Sequence, residues 1–481
     1  MLKLLYFFRR TVFLFLFGLS GLQLYAQCFE VKGHVCCGKH GLKDVVVTDG
    51  IHLTRTDAKG EYRLQIGSES DFVYISTPSG YLPERNQSRL IFYQKLDRQE
   101  TKEYNFSLVK NCYDDSRHTV VVHADPQLYK MDNFKVYQAI LDDCKELAKK
   151  QDRDVFGIDC GDLVGDKPEL YEPYIEAVDG LGIPFYRVMG NHDMTLYGRS
   201  HETSYAKFEE LFGPSYYSFN RGKAHYVVLN DVFYLSRDYF YAGYITERQL
   251  AWLEKDLASV EPESLVFVAL HIPSRLEVGP VSFEYTNENV AGRVSNAAFL
   301  YDILKPYRAH ILSGHTHYNR NLEHSDNLYE HITAAVCGTW WQGGVCLDGT
   351  PQGYGVYEVD GDDVSWYYKS AGFPEKFQFR AYPVGQSGFF PDDVLVNVWN
   401  WDSKWNVEWL EDGVLMGQMT RVTTEDPVAA ALCADKEKLE FKWISPLANE
   451  HMFRAPVKNK NASVEVRVTD RFGRVYQTKV E

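Results

Sequence analysis

The 481-residue sequence is 45% hydrophobic and 15% aromatic, with 33 tyrosines and 9 tryptophans, enough apolar material to bury several cores and to exclude a disordered chain. Its 51 Lys and Arg against 66 Asp and Glu leave a formal charge of −15, which argues against a nucleic-acid partner because so acidic a body repels a polyanion. Nine cysteines are scattered along the chain, an odd number without zinc-type spacing or a dense disulfide framework, although Cys337 and Cys346 are spaced to staple a short loop.

In chain order, residues 1–26 read as a signal peptide: Lys3, Arg9 and Arg10 lead an apolar run that ends near the small Ala26. That run is short for the roughly 20 residues of a spanning helix, and no later segment is apolar enough. The expectation is an exported protein, periplasmic or extracellular, with no transmembrane segment in the mature chain; removing the three cations takes the formal charge from −15 to −18. Gln27 is a poor residue before a lipidated cysteine, which disfavours anchoring at Cys28.

Residues 27–112 alternate apolar and polar positions in short runs such as "GEYRLQI" and "DFVYIST", separated by turn signals, and read as an all-β module. The order "GHV", "GLKDVVVTDG", "TDAKGEYRL" resembles small β-sandwich modules of the carboxypeptidase-regulatory type, which implies a spacer or docking role. Over 113–370 strands alternate with helices: strands at 118–124, 154–159, 183–189, 224–230, 264–270 and 309–313, helices at 133–150, 168–179, 247–259 and 295–305. This is the pattern of a layered α/β sheet whose ligands gather beyond the carboxyl ends of the strands. After 325 helical periodicity disappears; two or three closing strands precede a β-rich C-terminal domain over 371–481, with 326 as an alternative start.

Metal-binding side chains fall at the predicted strand ends: Asp125, Asp162, Asn191 followed by His192, His271, and then His315 and His317. If the strands share a sheet, these donors meet on one rim. A bridging carboxylate flanked by imidazoles and a side-chain amide suits two divalent ions. Strand residues two apart face the same way, so His315 and His317 are expected to look inward together. Any one of these histidines is better read as a packing residue; the ordered set carries the inference.

The motifs "DPQ", "GD", "GNHD", "HIP" and "GHTH", in that order over 125–317, resemble those of the calcineurin-like metallophosphoesterase superfamily, in its secreted bacterial form with dedicated N- and C-terminal domains. The resemblance implies an α/β (α+β) fold, a layered β-sandwich flanked by helices, between the all-β N-terminal module and the β-rich C-terminal domain. It further implies two divalent ions (Mn, Mg, Zn, Fe or Ca): one held by Asp125, Asp162 and His317, the other by Asp162, Asn191, His271 and His315. Asp162 bridges them, a shared hydroxide attacks phosphorus, and His192 is the general acid. Gln127 stands where the family commonly has histidine; its carbonyl oxygen is a harder ligand than imidazole and shifts the first ion towards manganese, magnesium or calcium. His123 is an alternative ligand, against the plainer reading of a packed strand histidine. Gly165 replaces the tyrosine that gives purple acid phosphatases their iron colour and also the aspartate that orients the general acid in serine/threonine phosphatases, leaving Asp166 or Asp193 for that task.

Trp340 and Trp341 either line the substrate pocket or pack the C-terminal domain on the core. Tyr197, Arg199 and His201, in the long segment after "GNHD", either reach the substrate or decorate the loop. The expected function is an exported hydrolase of small-molecule or envelope-derived phosphate mono- or diesters. The alternative is a catalytically weak metal-binding scaffold or interaction protein that works through its flanking β-domains. No pattern specifies an oligomeric state.

Overall fold

The computed structural model describes residues 29–99, 102–195, 197–236, 240–277, 286–459 and 461–481; the signal peptide expected over 1–26 and Cys28 lie outside them. Among the described residues no helix is long and apolar enough to cross a membrane.

The two central sheets use these strands: β1 (Arg117–His123), β2 (Asp154–Asp159), β3 (Phe185–Arg187), β4 (Tyr217–Arg221), β5 (Ala224–Val228), β6 (Leu265–Ala269), β7 (Arg308–Ser313), β8 (Arg320–Ser325), β9 (Leu328–Ile332), β10 (Gly353–Asp360) and β11 (Asp363–Ser370). One sheet has the order β3-β2-β1-β10-β11 and the other β4-β5-β6-β7-β9-β8. The central strands of each, β1 with β2 and β6 with β7, run parallel, so their carboxyl ends open on one side. Val120, Val122, Phe156 and Ile158 share a buried cluster with Tyr226, Phe267, Ala269 and Leu312 between the sheets. The alternate residues Val121, Val155, Val266, Val268 and Ile311 pack outward with the helices α1 (Asn133–Lys150), α2 (Tyr171–Asp179), α3 (Glu247–Leu257) and α4 (Ala297–Leu304). Burial on both faces is why these strands read as unbroken apolar runs. On α1, Tyr137, Ile140, Leu141, Cys144 and Leu147 recur at helical spacing and form its buried stripe.

The N-terminal strands form a six-stranded and a four-stranded sheet, with Tyr62, Leu64 and Ile66 turned inward by the strict alternation of Glu61–Ile66. This module is continuous with the core: Val31, Val35 and Ile75 belong to the cluster between the central sheets, and the buried Arg187 donates to Ser88 Oγ at 2.8 Å. In the C-terminal region two four-stranded sheets enclose Trp405, Trp409, Phe453, Val466 and Val468.

Two expectations are corrected. A helix does occur after 325, over Pro427–Ala434, started by Asp426, whose Oδ1 accepts the amides of Val428 at 2.9 Å and Ala429 at 3.0 Å. Eight residues are too few to display a period, and its start signal is the Asp-Pro pair. The eight described cysteines are all free thiols; Cys337 Sγ approaches His317 Nδ1 at 3.6 Å and Cys346 Sγ the Ala335 carbonyl at 3.4 Å, so the pair staples no loop.

Candidate metal centre

Asp125, Asp162 and Asn191 follow β1, β2 and β3 of one sheet, whereas His271, His315 and His317 follow β6 and β7 of the other. The donors therefore meet across the mouth of a sandwich, not along the rim of one sheet as the strand pattern suggested. The loops that bring them together are tight. Asp125, Gln127, Asp162, His315 and His317 have φ of 50°, 40°, 54°, 68° and 58°, left-handed conformations that each cost a non-glycine residue about 1–3 kcal/mol. His315 and His317 thus lie beyond β7 and turn inward through these conformations, not through strand alternation. The motif glycines allow the close approach: a Cβ on Gly190 would fall 2.1 Å from the Asp162 amide nitrogen, and one on Gly314 2.6 Å from Asp125 Oδ2.

Asp162, His271 and His315 present ligand atoms within 4.8 Å of one another. His271 Nδ1 lies 2.8 Å from the Cys160 carbonyl, which fixes the N–H on that nitrogen. Its Nε2 is left with a lone pair, which faces Asn191 Oδ1 at 2.9 Å, His315 Nδ1 at 3.1 Å and Asp162 Oδ1 at 3.5 Å. Burial pushes the pKa of His271 and of His315 down to about 3, so neither ring carries a second proton. Asp125 is completely buried; its Oδ2 accepts the His315 amide at 2.8 Å, and its Oδ1 has no hydrogen-bond partner, with His317 Nε2 3.6 Å away. Burial, reinforced by the charge of Asp162, raises its pKa well above the usual carboxylate range. Lone pairs facing lone pairs around two buried carboxylates are costly in a protein interior, and divalent cations remove the cost, so these donors fit the metal pair. Gln127 is buried beside them, its Oε1 4.0 Å from Cys337 Sγ on the His317 side.

His192 is half-buried at the edge of the cluster. Its amide donates to Asp162 Oδ1 at 2.7 Å, and its Nδ1 pairs with Asp166 Oδ2 at 2.8 Å. Burial alone would lower its pKa, but Asp162 and then Asp166 outweigh it and push it up to about 9. Asp193 has different work: it accepts the amides of Leu163 at 3.1 Å and Gly190 at 2.9 Å and the Tyr171 hydroxyl at 3.0 Å, bracing two motif loops. Of the two aspartates left open by the sequence, Asp166 is the one that touches the ring.

Three family descriptions match successive parts of the chain: "N terminal of Calcineurin-like phosphoesterase" over residues 29–111, "Calcineurin-like phosphoesterase" over 118–319 and "C terminal of Calcineurin-like phosphoesterase" over 330–476. The chain belongs to the calcineurin-like phosphoesterase family. Solved structures similar to it include a dimetal phosphatase from Danio rerio (13% identity, 53% of this chain and 96% of that chain, TM-score 0.37). A purple acid phosphatase from yellow lupin seeds is 14% identical over 68% of this chain and 67% of that chain, with a TM-score of 0.37. A 5′-nucleotidase from Candida albicans is 12% identical over 55% and 53%, with a TM-score of 0.33. No curated protein matches the sequence.

The remaining candidates from the sequence divide. Trp340 lies at the centre, its ring stacked on His317 at 4.2 Å. Trp341 turns away, with Nε1 donating to the Pro126 carbonyl at 3.0 Å and its ring edge-on to Tyr137 of α1. His201 stacks on Phe233 at 4.4 Å, and Tyr197 and Arg199 are exposed; among the described residues none of the three has a hydrogen bond or ring contact to the metal-ligand set. His123 is not at the centre. It points into the interior against Phe185 and Tyr354, 3.6 Å from Asp159 Oδ1, because it is the last residue of β1, whereas Asp125 lies beyond the strand end, where a φ of 50° turns the chain away from the strand alternation.

Sequence reasoning missed several residues here. Tyr241 stands edge-on to His315 at 6.0 Å. The buried Asp231 accepts the amides of His271 at 3.2 Å and Ile272 at 2.9 Å. The fully buried Glu330 accepts the Ser274 amide at 2.7 Å and the Ser313 hydroxyl at 3.2 Å, joining the loops after β6 and β7. None has a motif around it; for Asp231 and Glu330 the only sequence signal is an acidic residue in or next to an apolar strand run, and Tyr241 has no signal at all.

Proposed function

We propose that this phosphoesterase hydrolyses phosphate mono- or diesters at a pair of divalent ions, and the observation that carries the reading is the convergence of His271 Nε2, Asn191 Oδ1, His315 Nδ1 and Asp162 Oδ1 within reach of one cation. Asp125, Gln127, Asp162 and His317 would hold one ion and Asp162, Asn191, His271 and His315 the other, with Asp162 common to both. When bound, such a pair supplies a water nucleophile at neutral pH and charge for the phosphoryl oxygens.

The chain's own residues do the rest. Asp166 holds His192 Nδ1, which leaves Nε2 as the atom that hands a proton to the departing oxygen. The charges of Asp162 and then of Asp166 favour the protonated ring, the form an acid needs. Asn191 and Gln127 are neutral ligands, so they add coordination without adding repulsion towards a phosphate. The oxygen-rich donor set around Asp125 and Gln127 suits manganese, magnesium or calcium at that position, and the imidazole-rich set suits zinc, iron or manganese at the other.

The substrate is a small-molecule or envelope-derived ester met outside the cytoplasm. Export rests on the basic-then-apolar pattern of residues 1–26; a mature protein whose first residue is Gln27 supports it, and retention of Met1 overturns it.

The test is metal analysis of the purified protein together with turnover of p-nitrophenyl phosphate and bis-p-nitrophenyl phosphate, before and after chelation and with Mn2+ restored. Two equivalents of metal and chelator-sensitive turnover are expected. Full occupancy without turnover of either ester would leave the scaffold reading in its place.

A further inference from the structure

The segment after the helix Pro427–Ala434 runs back over the mouth of the metal centre. Leu439 and Ile444 are buried with Cys433, and Trp340 and Leu347 of the central part pack against them together with Phe441. These side chains make one of the apolar contacts between the two parts. Trp443 lies at the outer rim of that cluster, its ring 5.9 Å from that of Phe441. It remains 61% exposed, with its ring edge-on to Trp340 at 4.4 Å, and Trp340 in turn stacks on His317 at 4.2 Å. The chain that carries it is pinned on both sides. Gln342 Oε1 accepts the amides of Glu440 at 2.5 Å and Phe441 at 3.3 Å, and the Glu440 carboxylate binds Lys130 Nζ at 2.6 Å and the Tyr129 hydroxyl at 3.2 Å. Tyr129 and Lys130 belong to the same loop as Asp125 and Gln127, so Trp443 is fixed relative to the metal ligands.

Those contacts leave most of the ring in water beside a reactive centre, where burial would stabilise the protein further, and exposure of so big a ring is the exception. We infer that Trp443, with Trp340, is a stacking wall for the organic part of the ester, and that the preferred substrates carry a flat face, a nucleobase or a sugar ring, beside the phosphate. Rings stack on indole with little demand on their hydrogen-bonding groups, so the wall selects by shape. It gives the C-terminal domain a share in the site. The inference rests on the phosphoesterase reading above.

The test compares kcat/KM of the Mn2+-loaded wild type, W443A and W443F on adenosine 5′-monophosphate, glucose 1-phosphate and butyl phosphate. Ratios between substrates, taken variant against wild type, cancel intrinsic reactivity. A fall of about tenfold in the ratio of adenosine monophosphate to butyl phosphate in W443A, mostly through KM and largely restored in W443F, supports a nucleobase; the same fall for glucose 1-phosphate supports a sugar. Ratios unchanged in W443A overturn the wall while leaving the phosphoesterase reading intact. A wild type inactive on all three esters and on p-nitrophenyl phosphate overturns that reading; quenching of tryptophan fluorescence by adenosine monophosphate, lost in W443A, then still decides the wall.

Discussion

His271 Nε2 and Asn191 Oδ1 meet at 2.9 Å although they leave different sheets, one after β6 and the other after β3. Two acceptors at that distance repel unless a cation lies with them, so removal of either should be felt first in metal binding. H271A is expected to lower the metal content from two equivalents to one and to cost more than the 10–100-fold that loss of a supporting residue outside the ligand set brings. Elemental analysis beside turnover checks it; two retained equivalents would refute the assignment of His271.

Asp166 acts on the reaction through His192. Removing its charge in D166N lowers the pKa of the ring, so the protonated acid is lost at lower pH. The basic limb of the kcat profile should therefore move down, with a smaller effect at acidic pH where the ring is protonated in either protein. A limb that stays in place would mean that another group donates the proton.

Glu330 joins the exits of β6 and β7 through Ser274 and Ser313. E330Q keeps the shape but removes the charge that holds these donors, and supporting residues of this kind change metal affinity by about 10–100-fold. The expected result is weaker Mn2+ binding by calorimetry, partly restored in E330D. A loss of thermal stability with unaltered Mn2+ affinity would make Glu330 a packing residue alone.

Acid should unfold the protein partly through histidines remote from the metal ligands. Burial pushes His118 down to about 4, with Nδ1 2.8 Å from the Asp115 carbonyl and Nε2 2.5 Å from the Tyr226 hydroxyl. A folded pKa below the unfolded 6.5 means stability that is present above pH 6.5 and lost as pH falls towards 4. Each unit is worth about 1.4 kcal/mol, so this ring alone contributes about 3 kcal/mol across that window. H118N should show a flatter dependence of the thermal midpoint on pH between 6.5 and 4, together with a lower midpoint at pH 8; parallel curves for the two proteins would refute it.

Much of the local structure was legible in advance. The span 133–150 shows the apolar repeat of a helix and forms α1 over Asn133–Lys150, and "DVFGID" forms β2 over Asp154–Asp159, because period and propensity act over a few residues. The helix Pro427–Ala434 was not legible, since eight residues with alanines on every side display no face. Strand alternation predicts that His315 and His317 face inward, but the left-handed backbone that turns them has no signature in "GHTH" beyond its glycine. Trp443 sits in "EFKWIS", about 100 residues from the Trp340 it touches, with nothing nearby to mark it.

The order and kind of the donors, the glycines that let them approach, the strand and helix periods and the acidic balance belong to the amino-acid sequence itself, because each is set by neighbours a few positions apart. Which donors face one another, that Asp166 and not Asp193 touches His192, that His123 points into the interior, and that an exposed tryptophan from the C-terminal domain reaches the mouth were decided by stacking two sheets and folding a third region back onto them. Separation along a chain carries no distance until buried apolar faces pair, and that pairing is a property of the whole core.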